Sequence, residues 1–364
     1  MTNQNMTEQK DFKDDRSHVA VIVTLLIFIM VIALIGNIIV VIVVTKKKRM
    51  QTFTNWMILN LSIADLWVAL LSIPLDIPME LNNQRWIYGK TLCSLIYPLQ
   101  TSSVYGSVFT LVALSLSRFW AIAKPFKRQP NIFAAKVIIA AIWFCSLVVV
   151  IPYMLVLKYS ETNGVQSCSE NWTDKQRKTY TIAIFVFQYV FPLMVISIAY
   201  TYIIRELCSQ KNGENNNCRR KQQESKKVVK LLCIITLVFA ICILPYHIFA
   251  LCVEFGILNR ESNYILNLTC YIFLYAHSAI NPFIYNIFNT EFRDSFKELC
   301  KALLHFLFNY KTMNGNAYVS RSRLSYLPGN RLSTISTNTI IRVRYSKYFA
   351  DDNMELENTF LEDD

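Results

Sequence analysis

The sequence contains few charged residues and none of the short motifs that mark the common catalytic centres. Of its 364 residues, 17% are charged and 53% are hydrophobic. It has no His-Glu-x-x-His zinc motif, no Gly-x-Ser-x-Gly nucleophile motif and no glycine-rich phosphate loop. These absences disfavour zinc proteases, serine hydrolases and nucleotide-binding enzymes. We therefore expect a protein that is not an enzyme and that has no organic cofactor.

Internal repeats and an apolar leader are also missing. Many transporters are built from paired repeats with matching broken helices, so their absence disfavours a transporter. Residues 1–17 are polar and mix acids with bases, and no cleavable apolar segment precedes the first long hydrophobic run. We expect residues 1–17 to form an N-terminal tail.

The hydrophobic residues are concentrated in seven long segments. A helix needs roughly 20 mostly apolar residues to cross a bilayer, and backbone groups in lipid must be satisfied within the segment. Barrel strands would be shorter and would alternate in polarity. We therefore predict an all-α membrane protein, with a seven-transmembrane helix bundle over residues 18–288. The predicted segments are residues 18–45, 53–79, 91–122, 133–157, 179–204, 228–253 and 264–287.

Lysine and arginine are concentrated in alternate loops. The first loop contains Lys46, Lys47, Lys48 and Arg49 without an acid, whereas the next loop mixes Arg85 with Glu80. Basic loops remain cytoplasmic. We therefore expect a multi-pass plasma-membrane protein with an extracellular N-terminus and a cytoplasmic C-terminus. The net charge of +12 is explained by these loops, so no nucleic-acid partner is expected.

Asp65 lies in the middle of the second segment, where an ionisable group is costly and indicates a candidate site. Other segments supply polar residues at similar depth: Asn37, Ser107, Ser278 and Asn281. Several oxygen ligands around one carboxylate suit a hard cation. Two alternatives are a proton site and a neutral Asp65 that packs through hydrogen bonds.

Acidic residues continue along the second segment towards its outer end. Asp76 follows Asp65 by about three helical turns and shares its face, and Glu80 is one turn further. Glu254 ends the sixth segment at the same level. An acidic mouth attracts cationic ligands, so we expect recognition of a basic side chain. The alternative is that these acids are solvated helix ends.

The C-terminal region contains an amphipathic segment and a polar tail. Phe288, Phe292 and Phe296 are spaced four residues apart, which predicts an inner-leaflet helix over residues 289–305. Cys300 is a candidate palmitoylation site, and residues 306–364 are expected to be a disordered cytoplasmic tail. Asn5 and Asn171 occupy glycosylation sequons.

Two motifs carry a family resemblance. Ser117-Arg118-Phe119 ends the third segment, and Asn281-Pro282-Phe283-Ile284-Tyr285 closes the seventh. Together they resemble the arginine triplet and the Asn-Pro-x-x-Tyr motif of rhodopsin-like G-protein-coupled receptors. The resemblance covers about residues 18–305 and includes an ordered set of further matches: Gly36, Asn37, Asp65, Trp86, Cys93, Trp143, Cys168, Pro192, Tyr200 and Pro245.

The resemblance implies several roles. It implies a Cys93–Cys168 disulfide and an allosteric sodium ion held by Asp65, Ser107, Ser278 and Asn281, although His277 stands where the family has asparagine. It also implies a signalling switch. The residues expected to form this switch are Arg118, Tyr200, Phe239, Pro245, Asn281, Pro282 and Tyr285.

The resemblance also limits the chemical class of the expected ligand. Gln100 replaces the aspartate of amine receptors, and Tyr275 replaces the retinal-binding lysine of opsins. The glutamine is similar to that of the neuropeptide Y, neuropeptide FF and orexin groups. We expect a neuropeptide receptor, with His247 as either a ligand contact or a neutral core residue. The expected ligand-binding residues are Asp76, Gln100, Thr101, Val104, Tyr246, His247, Glu254 and Tyr275.

The implied partners are a heterotrimeric G protein, membrane lipid, and receptor kinases and arrestin at the tail. Ser117 replaces the family's acid and Ile243 its tryptophan, so the restraints on the resting state are expected to be weak. One alternative is therefore a constitutively active or non-coupling receptor. The other is a small transporter or proton channel around Asp65 and His277.

Overall fold

The computed structural model describes residues 2–82, 85–124, 127, 129–162, 164–209, 216–298 and 301. Side chains are described from His18 onward, except those of residues 216–221. Seven helical segments, here called spans 1 to 7, pack into one bundle. Their bounds are Thr2–Lys46, Phe53–Leu81, Gly89–Ala123, Ile132–Val156, Asp174–Ser209, Asn216–Glu254 and Tyr264–Phe288.

Six helices within the described residues are long and apolar enough to cross a membrane by length and composition. Span 7 is less apolar because it contains buried polar residues, among them His277 and Asn281. Span 1 begins at Thr2, upstream of the start predicted at residue 18. A helix over residues 290–298 follows span 7, inside the predicted amphipathic segment.

Capping residues define where several spans begin. The Thr52 hydroxyl accepts a hydrogen bond from Asn55 N at 3.3 Å, and the Asn131 side chain accepts one from Ala134 N at 2.9 Å. These side chains satisfy backbone donors that a first helical turn leaves free. The starts of spans 2 and 4 are therefore encoded locally.

Prolines explain the two irregular turns inside the spans. Short π-helical turns over Val68–Ser72 and Phe185–Val190 lie just before Pro74 and Pro192. Proline cannot donate the usual hydrogen bond to the preceding turn, and a π turn is one way to absorb that loss. Spans 2 and 5 thus continue through their prolines.

The loop after span 4 folds into a β-hairpin that the sequence did not predict. Strand β1 covers Leu157–Thr162 and pairs in antiparallel fashion with β2, Val165–Glu170. Gly164 forms the turn with a φ of +75°, a conformation that favours glycine. The predicted disulfide joins Cys168 on β2 to Cys93 in span 3, with the Cα atoms 5.6 Å apart. It fixes the hairpin to the bundle.

Apolar residues both fill the bundle and cover its outside. On span 4, Phe133 and Leu155 are 73% and 77% exposed, as expected for side chains that face lipid. Inside, spans 1 and 7 approach closely at Gly36, where an added Cβ would lie 2.7 Å from Pro282 Cγ. A larger residue at position 36 would force these spans apart.

Candidate functional site

The bundle has two chemically different ends. We call the end with the Cys93–Cys168 bond and the hairpin the disulfide end. We call the opposite end, where Arg118 lies in the last part of span 3, the arginine end. The predicted ligand-binding residues belong to the disulfide end. Most of the predicted switch residues lie deeper in the bundle or at the arginine end.

Three of the predicted ligand-binding residues meet at the disulfide end. The carboxylate of Asp76 accepts hydrogen bonds from the Gln100 amide, at 3.1 Å, and from the Tyr275 hydroxyl. Because both donors are neutral, they orient the carboxylate, and its negative charge has no cationic partner among the described residues. Spans 2, 3 and 7 thereby build one site suited to a positively charged group.

The other two acids of the predicted acidic mouth, Glu80 and Glu254, have different partners. Glu80 accepts a hydrogen bond from the Tyr264 hydroxyl. Glu254 forms an ion pair with Arg177 of span 5, with Arg177 Nε 2.9 Å from one of its carboxylate oxygens. Glu254 is only 10% exposed there, so its charge is already balanced within the protein. The structure therefore gives Asp76 and Glu254 different environments.

Aromatic rings line the region between spans 5, 6 and 7. The ring of His247 lies 5.5 to 5.9 Å from the rings of Tyr189, Phe185 and Tyr246. His247 is buried, and its Nε2 has no hydrogen-bond partner among the described residues. Tyr246 continues the series to Tyr271, 5.5 Å away. The surface that these rings form between spans 5, 6 and 7 is therefore largely apolar.

Thr101 and Val104 offer few free polar groups to a ligand. The Thr101 hydroxyl donates to Tyr97 O, one helical turn earlier, at 2.9 Å. Val104 is half-buried against the main hydrophobic core. Both residues therefore offer mainly apolar surface on span 3.

Asp65 lies fully buried in the middle of the bundle. Asn281 Nδ2 donates to Asp65 Oδ2 at 2.9 Å, and Asn37 Nδ2 donates to the backbone oxygen of Ser278 at 2.9 Å. Spans 1, 2 and 7 thus share a polar network, as predicted. No hydrogen bond between Ser107 and Asp65 occurs among the described residues, although Ser107 is buried.

His277 changes this site. Its Nδ1 lies 2.5 Å from Leu274 O, and a carbonyl can only accept, so we assign the ring hydrogen to Nδ1. In the neutral ring, Nε2 then presents a lone pair towards Asp65 Oδ1, 3.7 Å away. Asp65 Oδ1 has no hydrogen-bond partner in the described part of the chain.

His277 weakens the fit of this site to a sodium ion. Hard cations take oxygen ligands, and span 7 turns the nitrogens of His277 and Asn281 towards Asp65 as well as the Ser278 hydroxyl. The sodium ion stays a prediction from the resemblance, and His277 counts against it.

At the arginine end, Arg118 has no ion pair within the described residues, and its buried Nε has no hydrogen-bond partner there. The ring of the next residue, Phe119, lies 4.8 Å from Tyr202 of span 5. Tyr200 and Tyr285 are buried, and the Tyr285 hydroxyl also lacks a partner among the described residues. These polar groups remain available for new contacts.

The predicted hinge residues lie in the core between the two ends. Phe239 and Ile243 on span 6 are buried, and the Phe239 ring meets His277 edge-on at 5.7 Å. Pro245 and Pro282 lie inside spans 6 and 7 without ending them. Span 6 is therefore coupled through Phe239 to the polar centre around Asp65.

Contacts also join the helix over residues 290–298 to the bundle. Lys47 Nζ lies 2.5 Å from Glu298, and the rings of Tyr285 and Phe292 are 5.8 Å apart. Cys300 lies outside the described residues, as does the Asn5 side chain. Asn171 is exposed just after β2.

Several residues at the disulfide end were missed in the sequence. Glu170 accepts a hydrogen bond from the Tyr153 hydroxyl at 3.1 Å, and Trp172 stacks on Tyr180 with ring centres 4.9 Å apart. Arg177, the partner of Glu254, was not singled out either. The nearness of Glu170 to Cys168 was the one available signal, since the disulfide places β2 against the bundle.

Comparisons with known proteins agree with this architecture. Residues 36–285 match the family model described as 7 transmembrane receptor (rhodopsin family). Galanin receptor 2b of Danio rerio is 30% identical over 254 residues, which are 69% of this chain and 67% of that protein. Neuropeptide receptor 22 of Caenorhabditis elegans is 34% identical over 270 residues, 68% of this chain and 62% of that protein.

Human galanin receptor type 2 is 31% identical over 259 residues, 69% of this chain and 65% of that protein. The family match covers more than half of the chain and begins and ends at residues singled out in the sequence, Gly36 and Tyr285. The bundle and the Cys93–Cys168 bond have the expected form. The chain belongs to the rhodopsin family of seven-transmembrane receptors.

Proposed function

We propose that this chain is a cell-surface receptor that binds a peptide at the disulfide end and activates a heterotrimeric G protein at the arginine end. The observation that carries the proposal is the Asp76 site, where neutral donors from two other spans orient an unbalanced carboxylate. Such a site favours a ligand with a positively charged group. The similar proteins include galanin receptors and a neuropeptide receptor.

The mechanism is a shift between two populations of the receptor. A ligand moves the equilibrium only by its difference in affinity for the two states. We propose that the peptide binds the active state more tightly, that span 6 moves at Pro245, and that Arg118 then meets the G protein. The absence of an ion pair at Arg118 in the described residues supports this, since no such bond must be broken.

The absence of an ion pair at Arg118 among the described residues also favours a second candidate, a receptor with high ligand-independent activity. Ser117 supplies no charge beside Arg118, so the resting state lacks one restraint. Signalling without ligand would then be well above that of cells lacking the receptor. The two candidates share the same fold and differ only in where the resting equilibrium lies.

We also propose the orientation and modifications expected from the sequence. The disulfide end faces outward with the N-terminus, Asn5 and Asn171 carry glycans, and Cys300 is palmitoylated. The tail over residues 306–364 recruits receptor kinases and arrestin. Antibody binding to an N-terminal tag on intact cells tests the orientation, and binding only after permeabilisation would contradict it.

A second-messenger screen in cells tests the main proposal. Calcium and cyclic AMP are measured against amidated neuropeptides, galanin-type peptides, amines and lipids, in cells with the parent receptor or Arg118→Ala. We expect a saturable response to a peptide that is lost in Arg118→Ala while surface expression is kept. Responses to amines or lipids alone would contradict a peptide receptor.

A further inference from the structure

The carboxylates at the disulfide end are not equally available to a ligand. Glu254 is balanced by Arg177, whereas Glu170 forms no ion pair with any described residue. Glu170 is also exposed, so a ligand can reach it. Among the residues with described side chains, its carboxylate accepts a hydrogen bond only from the neutral hydroxyl of Tyr153, at 3.1 Å.

Aromatic rings stand beside this carboxylate. The Tyr153 ring lies 5.8 Å from the ring of Tyr180, and Tyr180 is stacked on Trp172 at 4.9 Å with 29° between the planes. The indole Nε1 of Trp172 is buried and has no hydrogen-bond partner among the described residues. We call Tyr153, Glu170, Trp172 and Tyr180 the Glu170 box.

The local backbone holds the box in place. Asn171 N donates to Val156 O at 2.9 Å, which ties the end of β2 to the end of span 4. Thr173 and Gln176 then form a capping box at the start of span 5, a motif that fixes the entry of the chain into a helix. The rings and the carboxylate therefore belong to fixed elements and need little ordering when a ligand binds.

The chemistry of the box selects one kind of group. Aromatic faces attract cations, and a nearby carboxylate adds charge. A guanidinium is planar, stacks on aromatic rings and bonds to a carboxylate through two donors. We propose that the Glu170 box binds a guanidinium group of the ligand, as a second cation site beside that of Asp76. The inference rests on the proposed function, because it requires a ligand at the disulfide end.

Arg260, in the loop after span 6, is the internal cation to be considered. Burial lowers the pKa of its guanidinium, but the neighbouring Tyr271 and Tyr246 hydroxyls and the Glu170 carboxylate raise it overall. It nevertheless makes no ion pair with Glu170. The test must therefore separate a site for ligand from a site for Arg260.

Direct binding to the purified full-length receptor in lipid nanodiscs provides this test. The probes are N-acetyl-arginine amide and its neutral counterpart N-acetyl-citrulline amide, followed by ligand-observed NMR without any G protein. Glu170→Gln and Tyr180→Leu remove the charge and a ring. Glu161→Gln is the matched control, since Glu161 lies on the same hairpin and accepts a similar bond from the Tyr159 hydroxyl at 3.0 Å, without the stacked rings.

We expect the arginine probe to bind the parent better than the citrulline probe. Glu170→Gln and Tyr180→Leu should each weaken the arginine probe by about tenfold, and Glu161→Gln should leave it within about twofold. No preference for arginine in the parent, or equal binding by the parent and Glu170→Gln, would overturn the proposal.

Arg260→Ala supplies the remaining comparison. For a ligand site, it should leave binding of the arginine probe intact or strengthen it. Equal losses of thermal stability in Glu170→Gln and Arg260→Ala, with no further loss in the double variant, would show an internal pair and overturn the site. Because no G protein is present, failure of signalling with intact probe binding would count against the proposed function alone.

Discussion

The disulfide end and the arginine end are stabilised by different means. A covalent bond, a hairpin and the Arg177–Glu254 ion pair join the elements of the disulfide end. At the arginine end, Arg118 has no ion pair in the described residues, and the hydroxyl of Tyr285 has no partner there. The comparison teaches that one end is organised before a ligand arrives, while the other keeps polar groups for contacts made later.

Removing the disulfide should reduce the difference in stability between the two ends more than any other change. The bond closes a loop of 75 residues in sequence, so Cys93→Ser should lower the free energy of unfolding by about 4 kcal/mol. Thermal unfolding of the purified receptor measures this. Cys145→Ser removes an exposed free thiol and should change nothing; an unchanged midpoint in Cys93→Ser would contradict the account.

Asp76 and Glu254, two of the acids at the disulfide end, should respond differently to neutralisation. Asp76→Asn should weaken binding of a positively charged peptide by about tenfold or more, because a charge-assisted hydrogen bond is lost. Glu254→Gln should cost less, since Arg177 already balances Glu254. Competition binding with a peptide and its citrulline analogue tests this. A larger effect of Glu254→Gln would reverse the assignment.

A carboxylate placed beside Arg118 should sharpen the contrast between the ends. Ser117→Asp supplies a partner for the unpaired arginine, and such a pair contributes up to about 1 kcal/mol when partly exposed. Ligand-independent nucleotide exchange on the G protein should fall by about twofold to fivefold. Ser117→Asn, which adds similar bulk without the charge, serves as the control, and unchanged basal exchange in Ser117→Asp would show that the resting state is held elsewhere.

The smallest effect concerns the polar centre between the ends. Sodium chloride should stabilise the parent against heat no more than choline chloride does, because nitrogens of span 7 face Asp65. His277→Asn should gain a sodium-specific rise of a few degrees, since a ligand bound only by the folded state stabilises it. His247→Asn is the matched buried histidine. A sodium response already present in the parent would refute this description.

Much of the architecture was predictable from the sequence. Length and apolar composition determine the spans, and helical spacing places Asp65 and Asp76 on one inner face. The resemblance named Gln100 and Tyr275 with Asp76 among the expected ligand-binding residues, and the structure joins all three by hydrogen bonds. The spans and the shared face of Asp65 and Asp76 could be predicted because counting residues along a helix gives the depth of each residue in the bilayer.

The remaining features depend on contacts between distant segments. The strands of the hairpin are mostly exposed, so their sequence shows no hydrophobic alternation that would predict them. The disulfide holds the hairpin in place. Arg177 and Glu254 are 77 residues apart, and nothing in either segment indicates their pairing. Ser107 is buried but forms no hydrogen bond to Asp65 among the described residues, and the rotation of span 3 that sets its contacts cannot be read from span 3 alone.

The most direct test compares one variant from each end in the same membranes. For Arg118→Ala and Asp76→Asn, peptide affinity and peptide-stimulated nucleotide exchange on the G protein are measured together. We predict that Arg118→Ala keeps its affinity and loses exchange, whereas Asp76→Asn loses affinity and reaches full exchange at saturating peptide. Parallel loss of both properties in both variants would contradict the division of the receptor into a binding end and a signalling end.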